Sequence, residues 1–173
     1  EMVEDIVQVP VTVKGKWVKV ENHPMTVTVF KDNSITQKLP FIVLSHGRSG
    51  DQVTNRSYKA RYYAVAKYFV AKGYVVFVPT RVGYGVTGGP DVEENSLCTR
   101  NAEAELGLNA AAATIKQMVL FAQAQSYVDA ERGLLVGQSY GGVSSLNLAS
   151  QNIPGIKGAV NFSGGAGGDA KMR

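Results

Sequence analysis

The chain has 173 residues, 45% of them hydrophobic, and a formal charge of +4 from 18 basic and 14 acidic side chains. That length suits one domain with a core of its own, and charges scattered without a basic run exclude a nucleic-acid interface as the leading reading. No apolar run approaches the roughly 20 residues of a membrane-spanning helix, and a lone cysteine, Cys98, leaves no internal disulfide or CxxC motif.

The first 31 residues hold three short β-rich pieces, IVQVPVTV (6–13), KWVKV (16–20) and MTVTVF (25–30). Alternation and β-branching predict antiparallel strands there, with turns at Lys14-Gly15 and over Glu21 to Pro24. After Pro40 the rhythm changes. FIVLS (41–45) is a continuous apolar run, as expected of a strand buried on both faces, and it leads into HGRSG. A helix capped by Ser57 is predicted next, its apolar stripe carried by Tyr62, Val65, Ala66, Phe69 and Val70, with Gly73 ending it. YVVFVP (74–79) is a second buried strand and runs into the glycine-rich loop TRVGYGVTGGP. A long helix is predicted over 102–125, then a strand at GLLVG (133–137), a helix over 141–151 and a strand at IKGAVNFS (156–163). Such alternation implies right-handed βαβ units, a parallel sheet and helices on both of its faces. No repeat or linker divides the chain, so residues 1–173 read as a single domain.

LLVGQSYGGVSS (134–145) places Ser139 between glycines where a buried strand ends and a helix begins. A sharp strand-to-helix bend strains the residue at its apex, at a cost of about 1–3 kcal/mol, and a non-glycine residue persists there when the strain aims its side chain. Residues two before and two after the apex must be tiny because strand and helix backbones nearly touch; Gly137 and Gly141 fill those places. The apex hydroxyl then sits at the carboxyl end of the sheet, beside a helix N-terminus that favours negative charge on a reacting oxygen. Such a GxSxG, preceded by a strand and followed by a helix, is the context of a nucleophile elbow.

LSHGRSG (44–50), VPTRVGYGVTGG (78–89), LLVGQSYGG (134–142) and AVNFSGG (159–165), in this order and spacing, resemble the α/β-hydrolase superfamily. Within it the chain is similar to the dienelactone-hydrolase-like and prolyl-oligopeptidase-like branches, over nearly all 173 residues. The resemblance implies a mostly parallel α/β-hydrolase sheet with antiparallel N-terminal strands. It also implies an oxyanion hole formed by the backbone N–H groups of Tyr140 and Arg48, with His46 and Gly47 shaping the loop that carries the second donor. Loss of one such donor typically costs about 3–4 kcal/mol of transition-state stabilisation. Asp91 and Tyr84 either line the pocket mouth or belong to a turn with its own local contacts.

A serine hydroxyl needs a general base, usually a histidine oriented by a carboxylate. The two histidines, His23 in the polar ENHP turn and His46 in the HG loop, are both poor candidates. The resemblance implies that the triad Asp or Glu and the histidine follow strands that come after AVNFSGG. Three readings stay open. In the favoured one these residues are the N-terminal portion of a serine hydrolase, and a separate C-terminal polypeptide supplies the acid and the histidine. GGAGGDAKMR is then a natural site of proteolytic nicking, IKGAVNFS an edge to be covered, and Cys98 a cysteine whose partner lies on the other piece. The second is a non-catalytic binding module with a hydrolase-like fold; the third is a hydrolase using an unusual base such as a lysine. The expected substrates are small esters, thioesters or amides, with no cofactor, no metal, no nucleic acid and no membrane span. The start at Glu1 and the unpaired Cys98 favour, slightly, a periplasmic or secreted location over a cytoplasmic one.

Overall fold

The computed structural model describes residues 1–95 and 103–165. Its elements are β1 (Met2–Lys14), β2 (Lys19–Asp32), β3 (Leu39–Ser45), α1 (Gln52–Arg56), α2 (Tyr63–Ala71) and β4 (Val75–Pro79), followed by α3 (Ala104–Gln123), β5 (Val128–Gln138), α4 (Tyr140–Ala149) and β6 (Ile156–Phe162). The six strands form one sheet in the order β1-β2-β4-β3-β5-β6. The pairs β1–β2 and β2–β4 are antiparallel, and β4, β3, β5 and β6 run parallel.

Side chains from one strand divide between two cores, because successive residues point to opposite faces. Phe41, Val43, Phe77 and Leu135 pack with Ile115 and Met118 of α3, while Ile42, Val76, Val78 and Val136 pack with Ala66 and Val70 of α2. The continuous apolar runs FIVLS and VVFVP are therefore buried on both sides, and the expected parallel sheet with helices on both faces is observed. At the far edge, β6 leaves Val160 and Phe162 exposed.

Three local expectations are corrected. Residues 16–30 form no separate pair of strands: β2 runs through the expected turn at Glu21 to Pro24, absorbing Asn22 at φ 48° and a register shift between Val11 and Val13. The segment pairs with β1 at Pro24 and His23, and His23 Nε2 bonds to the carbonyl of Thr87 at 2.9 Å with its side chain half-buried. Ser57 caps no helix start. Asp51 does so, accepting from the N–H groups of Val53 and Thr54, and Ser57 ends that short helix. The following helix begins only after Tyr62, which adopts a left-handed conformation (φ 49°, ψ 40°). Finally, β5 starts at Val128 rather than 133, because the polar VDAER segment still pairs with Leu39 beyond an irregularity in the β3 register. The turn at Lys14-Gly15, by contrast, is present, closed by Gly15 N–H donating to Val18 O at 2.8 Å. Cys98 lies outside the described residues.

Candidate active site

Ser139 stands between the end of β5 and the first residue of α4 with φ 54° and ψ −121°, a conformation that L residues rarely adopt. Two sets of bonds hold it. Its N–H donates to Phe162 O at the end of β6 (2.7 Å), and its carbonyl accepts from the N–H groups of Gly142 (2.9 Å) and Val143 (3.2 Å). The side chain is half-buried and so open to solvent on one side.

The glycines are explained by the space around this bend. A Cβ at Gly137 would lie 2.2 Å from the carbonyl oxygen of Gly141, and one at Gly141 would lie 2.3 Å from Ser45 O and 2.4 Å from His46 O. Strand, helix and the loop after β3 are thus in backbone contact. Gly47 completes the arrangement: a Cβ built there would stand 3.3 Å from the Cβ of Ser139. The HG loop and the bent serine, 92 positions apart in the chain (139 − 47), are neighbours. Among the described residues, neither the N–H of Arg48 nor that of Tyr140 has an intramolecular acceptor.

The loop at 46–49 is gripped from several sides. His46 is fully buried, accepts from the N–H of Arg81 through Nε2 (3.0 Å) and meets Gly47 O through Nδ1 (2.7 Å). That pattern assigns the proton to Nδ1, leaving both nitrogens occupied in a neutral ring. Burial and the neighbouring Arg81 charge hold its pKa well below the usual 6.5. His46 therefore has no free nitrogen for the Ser139 proton. His23 lies on β2, separated from β5 by β4 and β3, and is remote from the serine.

Beneath the loop lies a buried ionic network that sequence reasoning missed in large part. The Arg81 and Glu93 side chains, both 0% exposed, pair at 2.7 Å, and Arg81 also donates to His46 O at 2.6 Å. Burial opposes the charge on Arg81, but Glu93 and the tyrosines beside it more than compensate and raise its pKa. Tyr84 donates to Glu93 at 2.6 Å and accepts from Arg48 at 3.1 Å, so it links this pair to a second one. There Arg48 forms a two-pronged bond to Asp91 at 2.8 and 2.7 Å. Asp91 makes more than local contacts: it binds the loop after β3 through Arg48. Tyr84 is buried, and burial together with Glu93 raises its pKa, keeping the hydroxyl protonated. Asn55, also missed, is 1% exposed and clasps the Ser49 backbone from both sides, accepting from its N–H (2.8 Å) and donating to its carbonyl (2.9 Å). No periodicity marks such residues.

A cavity of about 180 Å³ opens beside the bend, lined by Leu44, Tyr62, Val65, Gln138 and Phe162. Tyr62 donates to the Gln138 side chain at 2.8 Å and is joined to Tyr58 at 3.0 Å, so the residue preceding Ser139 is held by a chain of two hydroxyls.

The model of the dienelactone hydrolase family matches residues 26–171. The chain belongs to the dienelactone hydrolase family. Among solved structures, a Klebsiella pneumoniae subsp. pneumoniae protein of the dienelactone hydrolase type superposes with a TM-score of 0.66 at 17% identity, covering 98% of this chain and 62% of that one. The fluorophosphonate-binding serine hydrolase F of Staphylococcus aureus gives 0.59 at 15%, covering 94% and 57%. Acetyl xylan esterase 1 of a Thermoanaerobacterium species gives 0.56 at 19%, covering 92% and 53%. Identities this low speak for the fold, and the chain spans less than two thirds of each of these structures. Among proteins with curated descriptions, none matches the chain. For this member of the dienelactone hydrolase family the sheet order and the bend at Ser139 agree with the fold expected from the sequence.

The neutral, buried His46 gives the protein a pH-dependent stability. Between its low native pKa and the ordinary value of 6.5, the unfolded chain binds a proton that the native protein does not. Stability is therefore complete above about pH 7 and is lost as pH falls through 6.5, by up to about 1.4 kcal/mol per pH unit. Urea midpoints at pH 7.5, 6.5 and 5.5 check this, and equal midpoints at the three values would count against a neutral buried ring.

Proposed function

We propose that this chain is the N-terminal portion of a serine hydrolase that cleaves an ester, thioester or amide through an acyl-enzyme on Ser139. The conformation of Ser139, strained at φ 54° and set against Gly47, is the observation that carries the reading. A buried structural serine gains nothing from such a conformation, whereas a nucleophile gains exposure and aim.

In this mechanism Ser139 Oγ attacks the substrate carbonyl carbon and gives its proton to a histidine. The carbonyl oxygen becomes an oxyanion that accepts from the N–H groups of Arg48 and Tyr140. Collapse expels the alcohol, thiol or amine, which takes up the proton, and water then releases the acid by the same steps in reverse order. The histidine and its carboxylate come from a C-terminal polypeptide outside this sequence. Two observations support that: both histidines present are committed elsewhere, and the solved relatives extend well beyond the part this chain matches. The cavity of about 180 Å³ is lined by Gln138, which precedes Ser139, and by Phe162, whose carbonyl accepts from the Ser139 N–H; its size suits a small acyl group. The printed description of the Staphylococcus aureus relative as a fluorophosphonate-binding serine hydrolase agrees with a reactive serine in this fold.

The test is rapid mixing of the full-length protein with p-nitrophenyl acetate. An acyl-enzyme predicts a burst of nitrophenol approaching one equivalent, followed by slower turnover. The alternative is a non-catalytic binding module, in which the commitment of both histidines to other partners has no catalytic consequence. A folded full-length protein that gives neither burst nor turnover would establish that alternative.

A further inference from the structure

The two-pronged pair of Arg48 and Asp91 invites two explanations. As an anion receptor, Arg48 would need free donors facing the site. Its side chain is only 7% exposed, and its guanidinium already serves Asp91 twice and Tyr84 once. It has little left to offer a substrate. As a source of stability, a buried ion pair is a weak device, because desolvation consumes much of the Coulombic gain. What such a fork does supply is fixed geometry: two parallel bonds define the position and plane of the guanidinium, and so restrain the segment from which it grows.

Asp91 is itself fixed. It accepts from the Gln52 side chain and from the N–H of Glu93 (3.2 Å). Three successive stretches of the loop after β3 are thereby pinned by three separate groups: His46 by Arg81, Arg48 by Asp91, and Ser49 by Asn55. Every anchor is a side chain of a neighbouring segment: Arg81 and Asn55 grip the backbone of His46 and Ser49 directly, and Asp91 grips the guanidinium of Arg48 between them.

We propose that Asp91 is a positioning residue that holds the backbone N–H of Arg48 in line with the oxyanion formed at Ser139, acting through the Arg48 guanidinium. The inference rests on the reading of Ser139 as nucleophile. It adds that the donor at residue 48 is aimed from outside its own loop, by a carboxylate that never touches substrate. Displacement of a catalytic group by about 1 Å can cost on the order of 100-fold in rate, so loss of the fork is felt in the chemical step and not in substrate binding.

The experiment compares Asp91→Ala, Arg48→Met and the double variant Arg48→Met/Asp91→Leu in the full-length protein. Each is expected to lower kcat for p-nitrophenyl acetate by about 30- to 100-fold, with KM changed less than about threefold. The double variant is expected to lose no more than either single one, since both side chains act through one N–H. It also carries no orphaned charge, so it separates positioning from simple destabilisation: a folded double variant with wild-type kcat overturns the proposal. Hydrogen exchange gives a readout independent of activity. Amides of a peptide spanning 44–51 are expected to exchange at least about tenfold faster in Asp91→Ala than in the wild type, and unchanged exchange overturns the positioning whether or not Ser139 reacts. If Ser139→Ala leaves hydrolysis intact while that exchange still quickens, the nucleophile reading fails, and with it the catalytic purpose of the brace.

Discussion

Ser139→Ala is expected to reduce kcat/KM of the full-length protein by about 10⁴- to 10⁶-fold, leaving only the catalysis that binding and the oxyanion donors provide without a nucleophile. Stability should respond in the opposite direction at the same position. Ser139 holds φ 54° and ψ −121°, which a glycine adopts without a Cβ penalty. Ser139→Gly is therefore expected to be inactive yet more stable than Ser139→Ala by about 1 kcal/mol or more, as strain of about 1–3 kcal/mol is relieved. Ester hydrolysis and urea unfolding of the two variants check the pair of effects. A Ser139→Gly protein no more stable than Ser139→Ala would show that the bend is not strained. Retained hydrolysis in Ser139→Ala would remove the serine from the mechanism.

The largest stability effect is expected at Glu93. Its carboxylate is fully buried, pairs with an equally buried Arg81 and accepts from Tyr84. Glu93→Ala strands a guanidinium away from water and leaves the Tyr84 hydroxyl without its acceptor; the expected loss is about 3–5 kcal/mol, a large part of a typical domain's stability. Arg81→Met/Glu93→Leu removes both charges together and is expected to cost much less, because neither is left alone in the core. The contrast distinguishes a true buried pair from two separately hydrated groups. Urea midpoints at pH 7.5 measure it, and a single-variant cost under about 1 kcal/mol would mean that water reaches Arg81.

Much of this architecture was legible in the order of residues. FIVLS, VVFVP and LLVG announced strands buried on both faces, because no polar residue interrupts them, and all three became central strands of one sheet. Ser139 with Gly137 and Gly141 was legible too, since only glycines tolerate the backbone contacts found there. The polar frame was not. Glu93 is one of two adjacent glutamates in DVEEN, and nothing local tells which is buried; its burial follows from Arg81, twelve residues earlier, being carried inward at the end of β4. Asn55 sits in a helix too short to show periodicity. The ENHP segment was misread for a related reason: it has the composition of a turn, yet it pairs with β1 and bonds to the distant Thr87 carbonyl. Pairwise polar contacts over long sequence separations leave no pattern in one chain, whereas burial of apolar faces does.

The central claim is that the side chain of Ser139 is aimed at incoming carbonyl groups by its backbone. Reaction of the native full-length protein with a fluorophosphonate, followed by proteolysis and mass mapping, tests it most directly. One adduct on the peptide containing Ser139, abolished by prior unfolding, is the predicted result. A folded protein that stays unlabelled, or that carries the adduct on another serine, would contradict the account.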